Sequence, residues 1–390
     1  MDLQEIKRSK MEDELFICSQ CGYCSAVCPA FKELAARWES AGPRGKLLFM
    51  KKLFLGKDKI NRTFAENAFK CSLCGYCKEV CQVSIDLVTF WQSVRSEIFK
   101  NDLWPAPLHD LKSSLQEERN VYNISNEDRT IWSYEVEDLV EDHLNRDAEI
   151  GYFVGCVSSF TGRLASIPES FVKILNHVSG DFTLLGEEEW CCGSPYFLSG
   201  AYPLAKELAE HNIKKFEQLG IKTFITTCAG CYRAWKEEYP HLGQELPFEV
   251  KHAVEYLAEL VDTKKLKFKK IQDLKTTYHD PCELGRISGV FEAPRKILNS
   301  LSEFVELPKI KKESRCCGAG GVLKITNPEL ALKVGYKKID EIESLENLGV
   351  NTVVSACPAC QLNIDEVIRE KKSPLKMRDI TQIVAQALGL

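Results

Sequence analysis

Apolar positions in the C-terminal two thirds of this chain follow two alternating patterns. Short β-favouring runs, Ile150 to Val154, Thr223 to Thr226, Thr276 to Tyr278 and Thr352 to Val354, each lead straight into a cysteine. Between them lie longer stretches in which apolar residues recur with helical spacing, such as Leu204 to Leu219 and Pro328 to Leu348. Strands alternating with helices predict α/β units with parallel sheets, which usually carry their sites at strand ends. The N-terminal part shows no strand pattern. It reads as helical over Phe31 to Trp38 and Lys46 to Phe54, which predicts an all-α module. No apolar run approaches the roughly 18 residues needed to span a bilayer. Met1 to Phe16 is charged throughout and offers no secretion-signal core. The expected location is cytoplasmic, with any membrane contact peripheral and made through a partner subunit.

At 390 residues the chain is long enough for several domains. Its formal charge of −5 argues against a nucleic-acid partner held by electrostatics. The unusual feature is 18 cysteines in a chain expected to stay in a reducing compartment, where disulfides are rare. They lie in two groups, one from Cys18 to Cys81 and one from Cys156 to Cys360. The stretch between is acidic, opens with Trp104-Pro105-Ala106-Pro107, and reads as a solvated linker with a short helix. Beyond it Cys156, Cys191-Cys192 and Cys228-x2-Cys231 recur as Cys282, Cys316-Cys317 and Cys357-x2-Cys360, an offset of about 126 residues. The expected division is residues 1–100 as a helical module, 101–148 as linker, and 149–265 and 266–390 as two homologous α/β domains.

Cys18-x2-Cys21-x2-Cys24-x3-Cys28-Pro29 is a bacterial-type ferredoxin run, and Cys71, Cys74, Cys77 and Cys81 repeat it, with Gln82 in the place of proline. In such runs the fourth cysteine ligates the other cluster. Cys18, Cys21, Cys24 and Cys81 are therefore expected to hold one cubane 4Fe-4S cluster, and Cys28, Cys71, Cys74 and Cys77 a second. Structural zinc is the competing reading. It is disfavoured because zinc ribbons pair two separated knuckles, whereas four cysteines this closely spaced would crowd one tetrahedral ion.

Each repeat carries five thiols, one more than a cubane needs. Gly193 and Gly318 follow the paired cysteines and give the tight turn that adjacent ligands require. This spacing resembles the cysteine-rich CCG domain. In tandem after a two-cluster ferredoxin module, it is similar to the catalytic subunit of the membrane-linked heterodisulfide reductase of methanogens. Tyr278-His279-Asp280-Pro281-Cys282, Cys316-Cys317-Gly318-Ala319-Gly320-Gly321 and Ser355-Ala356-Cys357-Pro358-Ala359-Cys360 carry the likeness. The resemblance implies a noncubane 4Fe-4S cluster on each five-cysteine set, Cys156, Cys191, Cys192, Cys228, Cys231 and Cys282, Cys316, Cys317, Cys357, Cys360, with a small-molecule disulfide split between them. It also implies a partner, either a membrane b-type cytochrome subunit or a flavoprotein subunit. Iron–sulfur subunits of glycolate and lactate oxidases share the architecture and only pass electrons towards quinone. Their second set is commonly degenerate. Here Cys357 and Cys360 are both present, which favours the disulfide reductase.

Other residues have competing readings. His279 is a candidate catalytic residue, a proton donor to a departing thiolate or a hydrogen-bond donor to a cluster, against a structural histidine. Arg286 and Arg315 suit a substrate anion or a surface ion pair. Gly318-x-Gly320-Gly321 lacks the full spacing of a dinucleotide loop. Trp190 and Trp235, near cysteines, are expected to shield clusters. The Asn61 and Asn123 triplets match glycosylation acceptors, and chance is the better account of both.

Overall fold

A computed structural model describes residues 11–390. The N-terminal module is all-α. Its longer helices are Pro43–Phe54, Arg62–Phe69 and Leu87–Lys100, and a short turn of helix carries the third cysteine of each run, Cys24 and Cys77. Pro29 opens the helix Pro29–Lys32 directly after Cys28, as its fixed φ favours, whereas no helix follows Cys81 at Gln82. The expected helix over Phe31 to Trp38 stops at Lys32, whose carbonyl accepts from Arg37 Nε at 3.1 Å. Asn61 caps Arg62–Phe69 by accepting from Phe64 N at 2.9 Å, a structural use for half of one apparent glycosylation triplet.

The acidic stretch is a folded element and not a solvated connector. It forms the helix Pro107–Glu117, a long 3₁₀ segment Asn126–Val136 and the helix Glu137–Glu141. Trp104, Leu108, Leu111, Leu115, Trp132, Val136 and Val140 from this stretch are buried in the main core. Its exposed acids hide this in the sequence, because the apolar positions between them form a stripe that covers the first α/β domain.

Two four-stranded sheets follow, each wholly parallel. The first contains β1 (Ile150–Phe153), β2 (Phe182–Thr183), β3 (Thr223–Thr226) and β4 (Glu249–His252) in the order β2-β1-β3-β4. The second contains β5 (Lys275–Tyr278), β6 (Glu303–Phe304), β7 (Thr352–Ser355) and β8 (Lys376–Asp379) in the order β6-β5-β7-β8. The orders are equivalent, as the cysteine repeat requires. Strands covered on both faces read as continuous apolar runs, and β1 and β7 are buried at every position. Gly151 in β1 admits Phe216 and Ile221 so closely that a Cβ there would lie 2.7 Å from either.

The two α/β domains are joined reciprocally. Helix Ser166–Val178 of the first packs on Ile380–Leu388 of the second, and Ala253–Asp262 of the first packs on Glu292–Leu301 of the second. Gln382 Nε2 donates to Ser166 Oγ at 2.6 Å across one of these seams. This exchange of equivalent helices gives a pseudo-two-fold relation between the domains. The helix Ala229–Arg233, after Cys228, then meets the π-helical turn Glu283–Ile287, after Cys282.

Candidate metal centre

The strand order of each sheet reverses between its two central strands, β1 and β3 in the first and β5 and β7 in the second. Such a switch point opens a crevice at the strand C-termini. Cys156 and Cys228 follow β1 and β3, and Cys282 and Cys357 follow β5 and β7, so each repeat delivers these two thiols to one crevice. The paired cysteines arrive on a tight turn. Gly193 and Gly318 have φ of 74° and 98°, and a Cβ on Gly318 would lie 2.2 Å from the Ala331 carbonyl oxygen.

All ten thiols of the two repeats are buried and converge within each repeat. Cys317 Sγ is 3.2 Å from Cys360 Sγ. Cys156 contacts Cys191, Cys192 contacts both Cys191 and Cys231, and Cys282 contacts Cys316. Hydrogen bonds from the thiols of Cys191 and Cys231 pull the Cys192 thiol down, against the opposing effect of burial. Across the domain seam Cys228 and Cys357 are in hydrogen-bond contact, so the two sets meet edge to edge. The seam is buttressed by Arg233, whose Nη2 donates to Glu238 Oε1 at 2.9 Å and Gln92 Oε1 at 3.0 Å. Its Nη1 faces Glu283 Oε1 at 3.6 Å. Burial pushes the Glu283 carboxyl up to about 7 against the opposing pull of Arg233.

His279 lies at the end of β5. Its ring and the thiols of Cys317 and Cys360 place one ligand atom each within 4.8 Å of one another. The ring is buried, and neither nitrogen has a hydrogen-bond partner. Burial pulls its pKa down to about 3, so the ring is neutral and one nitrogen carries a proton. An orphaned imidazole beside converging thiols fits a sulfur-rich group bound among them. Room is kept over the first set as well, since a Cβ on Gly155 would lie 3.0 Å from Cys231 Sγ.

In the helical module Cys28, Cys71, Cys74 and Cys77 line one pocket together. Burial pushes Cys28 up to about 12, with the charges of Cys71 and Cys74 adding to the rise. Cys21 of the other run is exposed. The second run lies directly against the second α/β domain. Cys316 Sγ is 3.4 Å from Ser72 Oγ, and Cys74 is in hydrogen-bond contact with Cys316.

The glycine run after Cys317 makes this approach possible and is no phosphate loop. Cβ atoms on Gly320 and Gly321 would lie 3.0 Å and 2.7 Å from the Ser72 carbonyl oxygen. Arg286 holds the same junction. Its Nη1 donates to the Cys74 carbonyl at 2.6 Å, Nε to that of Lys312 at 2.9 Å, and Nη2 to that of Ser314, so it does not face a substrate anion. Arg315 pairs with Glu341 at 3.6 Å. Trp235 sits among Phe153, Phe224 and Tyr239 in the core of the first domain, and Trp190 stacks on His211 with ring centroids 3.6 Å apart.

Two arginines that sequence reading missed are central. Arg95 Nη1 donates to the carbonyls of Leu198 and Gly321 at 2.6 and 2.8 Å, and its Nη2 to those of Ala68 and Cys71 at 3.3 and 2.7 Å, tying all three domains together. Arg129, from the acidic stretch, donates to Cys156 Sγ at 3.5 Å and to Glu189 Oε1 at 2.7 Å. Neither belongs to a spaced motif. The only linear trace is a lone cation: Arg95 at mid-helix, where it is buried, and Arg129 amid acids.

Comparison with known proteins agrees with this layout. Residues 14–85 match the 4Fe-4S dicluster domain, and residues 150–235 and 276–365 each match the Cysteine-rich domain family. The chain is 35% identical to a subunit of the dihydromethanophenazine:CoB–CoM heterodisulfide reductase of Methanosarcina acetivorans, over 97% of this chain and 95% of that one. It is 32% identical to a subunit of the fumarate reductase (CoM/CoB) of Methanothermobacter marburgensis, over 99% of this chain and 75% of that one. It is 31% identical to the EtfAB:quinone oxidoreductase of Syntrophomonas wolfei, over 83% of this chain and 47% of that one. With a 4Fe-4S dicluster module docked on paired cysteine-rich domains and near-complete coverage of such relatives, the chain belongs to the heterodisulfide reductase family of iron–sulfur oxidoreductases.

Proposed function

We propose that this protein is a disulfide reductase subunit acting on a heterodisulfide of the CoM–CoB type, with two cubane 4Fe-4S clusters in the helical module and two noncubane 4Fe-4S clusters on the five-cysteine sets. The meeting of Cys228 and Cys357 at the seam carries this reading, because two complete sets in contact can each receive one half of a cleaved disulfide. When bound, such clusters supply one-electron storage and an iron site with affinity for thiolate, so the paired sets together match the two electrons that a disulfide takes up.

The chain's residues set the order of the relay. Cys18, Cys21, Cys24 and Cys81 form the outer set, with Cys21 exposed to a donor. Cys28, Cys71, Cys74 and Cys77 form the inner set, which abuts Cys316 through Cys74 and Ser72. Clusters held on these residues would place the second five-cysteine set next to the inner set, and the first set beyond it across the Cys357 to Cys228 contact. His279 places a ring nitrogen beside the second site, and burial keeps the imidazole neutral there. Arg95 and Arg286 keep the inner set in register with Cys316.

No helix among the described residues is long and apolar enough to cross a membrane. In this reading the electron donor is a separate subunit, a membrane cytochrome or a flavoprotein, with this chain peripheral on the cytoplasmic face. The test is iron analysis with paramagnetic resonance. About 16 irons per chain, as four 4Fe-4S clusters require, and a new signal when oxidised protein meets coenzyme M or coenzyme B support the reductase. About eight irons would overturn it. Full iron with no thiol-dependent signal would favour an electron conduit of the kind that the quinone oxidoreductase relative suggests.

A further inference from the structure

The two five-cysteine sets are near copies in topology, yet one contact breaks their symmetry. Arg129 reaches Cys156 from outside both cysteine-rich domains, on the 3₁₀ segment Asn126–Val136. Its guanidinium and the carboxylate of Glu189 are each only 2% exposed. Glu189 Oε1 accepts from Arg129 Nε at 3.1 Å, Arg129 Nη2 at 2.7 Å and Gly155 N at 2.9 Å, and Oε2 accepts from Val154 N at 2.9 Å. Asn126 Oδ1 takes Nη1 at 2.9 Å. These contacts fix the guanidinium with its Nη2 edge towards Cys156 Sγ, 3.5 Å away.

The equivalent thiol of the second set, Cys282, has no such donor. The arginine nearest to it in sequence, Arg286, gives its N–H groups to the carbonyls of Cys74, Lys312 and Ser314. Among the described residues Cys156 alone of the ten thiols accepts a hydrogen bond from a guanidinium.

Hydrogen bonds and positive charge at a cluster's cysteine sulfur stabilise the more negative, reduced form and raise its potential. In a buried site the effect is strengthened, since little solvent screens it. Glu189 balances the charge of Arg129 overall, but the guanidinium alone of the pair donates to the sulfur, so the positive end faces it.

We infer that Arg129 is a tuning residue that makes the first five-cysteine set the more oxidising of the two, and so the terminal electron acceptor of the relay. The inference rests on the reading of both sets as cluster sites. It gives direction to the paired sites: electrons that enter at Cys316 are drawn across the seam to the set held by Cys156. The competing account is that Arg129 and Glu189 merely clamp the acidic segment onto the domain.

The experiment is a redox titration of the holoprotein followed by paramagnetic resonance, with each centre's signal assigned by Cys156→Ser and Cys282→Ser. The variants are Arg129→Gln, Arg129→Lys and the double Arg129→Gln/Glu189→Gln, which leaves no buried charge unpaired if the single variant folds poorly. In Arg129→Gln and in the double variant, the reduced-to-oxidised ratio of the first centre at fixed poise should fall about tenfold, equivalent to 59 mV for one electron. The second centre should stay in place, and Arg129→Lys should recover part of the loss. An unmoved first centre, or equal shifts in both, overturns the inference. Iron in the unsubstituted protein well short of four clusters would overturn the site reading itself, and the role of Arg129 with it.

Discussion

Cys316 Sγ lies 3.4 Å from Ser72 Oγ, which places a thiol of the second cysteine-rich domain against the loop between Cys71 and Cys74. The ferredoxin module is thus built into the paired domains. Arg95, Arg286 and the glycines at 320 and 321 hold one geometry there.

The crossed ligation is open to direct test. Cys28→Ala should remove or convert the inner cluster, beside Cys316, and leave the outer one intact, whereas Cys81→Ala should do the reverse. Iron per chain should fall by up to about four in each. Loss of the same resonance signal in both variants would exclude the crossing.

Gly321→Ala should disrupt the junction. Its φ is 61°, and the added Cβ would lie 2.4 Å from the Ser72 carbonyl carbon. A clash with backbone cannot be relieved by a rotamer change, so the loop must move away, at a stability cost of about 2 kcal/mol or more. Magnetic coupling between the inner cluster and its neighbour should weaken while total iron is retained, read by paramagnetic resonance at matched reduction.

Arg95→Met should lower stability by about 3 kcal/mol. It leaves four carbonyls without their shared donor and removes the residue that joins three domains. Limited proteolysis should then release the N-terminal module. A variant as resistant as the parent would show that packing alone holds the domains.

His279→Leu separates a structural histidine from one that serves the bound group. Neither ring nitrogen has a protein partner, so the loss should change the melting temperature of cluster-free protein little, or raise it. The resonance of a centre on the second five-cysteine set should shift, and that of one on the first should not. A large fall in stability with no spectral change would make His279 purely structural.

Asp379 predicts a pH effect. Burial raises its carboxyl from 3.8 to about 7, while Oδ1 caps the last helix by accepting from Thr381 N. Between those values the folded chain keeps a proton that the unfolded chain gives up. Stability therefore falls as pH rises through this window and is level above it. Asp379→Asn keeps a cap and cannot ionise. It should be more stable than the parent by about 1–3 kcal/mol at pH 8, with the gain shrinking towards pH 5, as followed by denaturant unfolding.

Much of this protein is legible from spacing. The strand runs ahead of Cys156, Cys228, Cys282 and Cys357 fall within a residue of β1, β3, β5 and β7, because continuous apolar runs bounded by a turn read clearly in a sheet covered on both faces. Residues 101–148 are harder to read and fold where a linker is expected. Their exposed Glu and Asp dominate composition, while Trp104, Trp132 and Val140 do the packing.

By itself the sequence determined the cysteine sets, the repeat and the parallel sheets, since ligand spacing and hydrophobic periodicity are local properties written along the chain. Tertiary structure alone decided which sets touch, that Cys228 meets Cys357 and Cys74 meets Cys316, and that Arg95, Arg129 and Arg286 are aimed at carbonyls and a thiol. A lone arginine has no spacing to betray it. Its role exists only when a buried guanidinium, which must satisfy its donors, finds acceptors brought from distant parts of the chain.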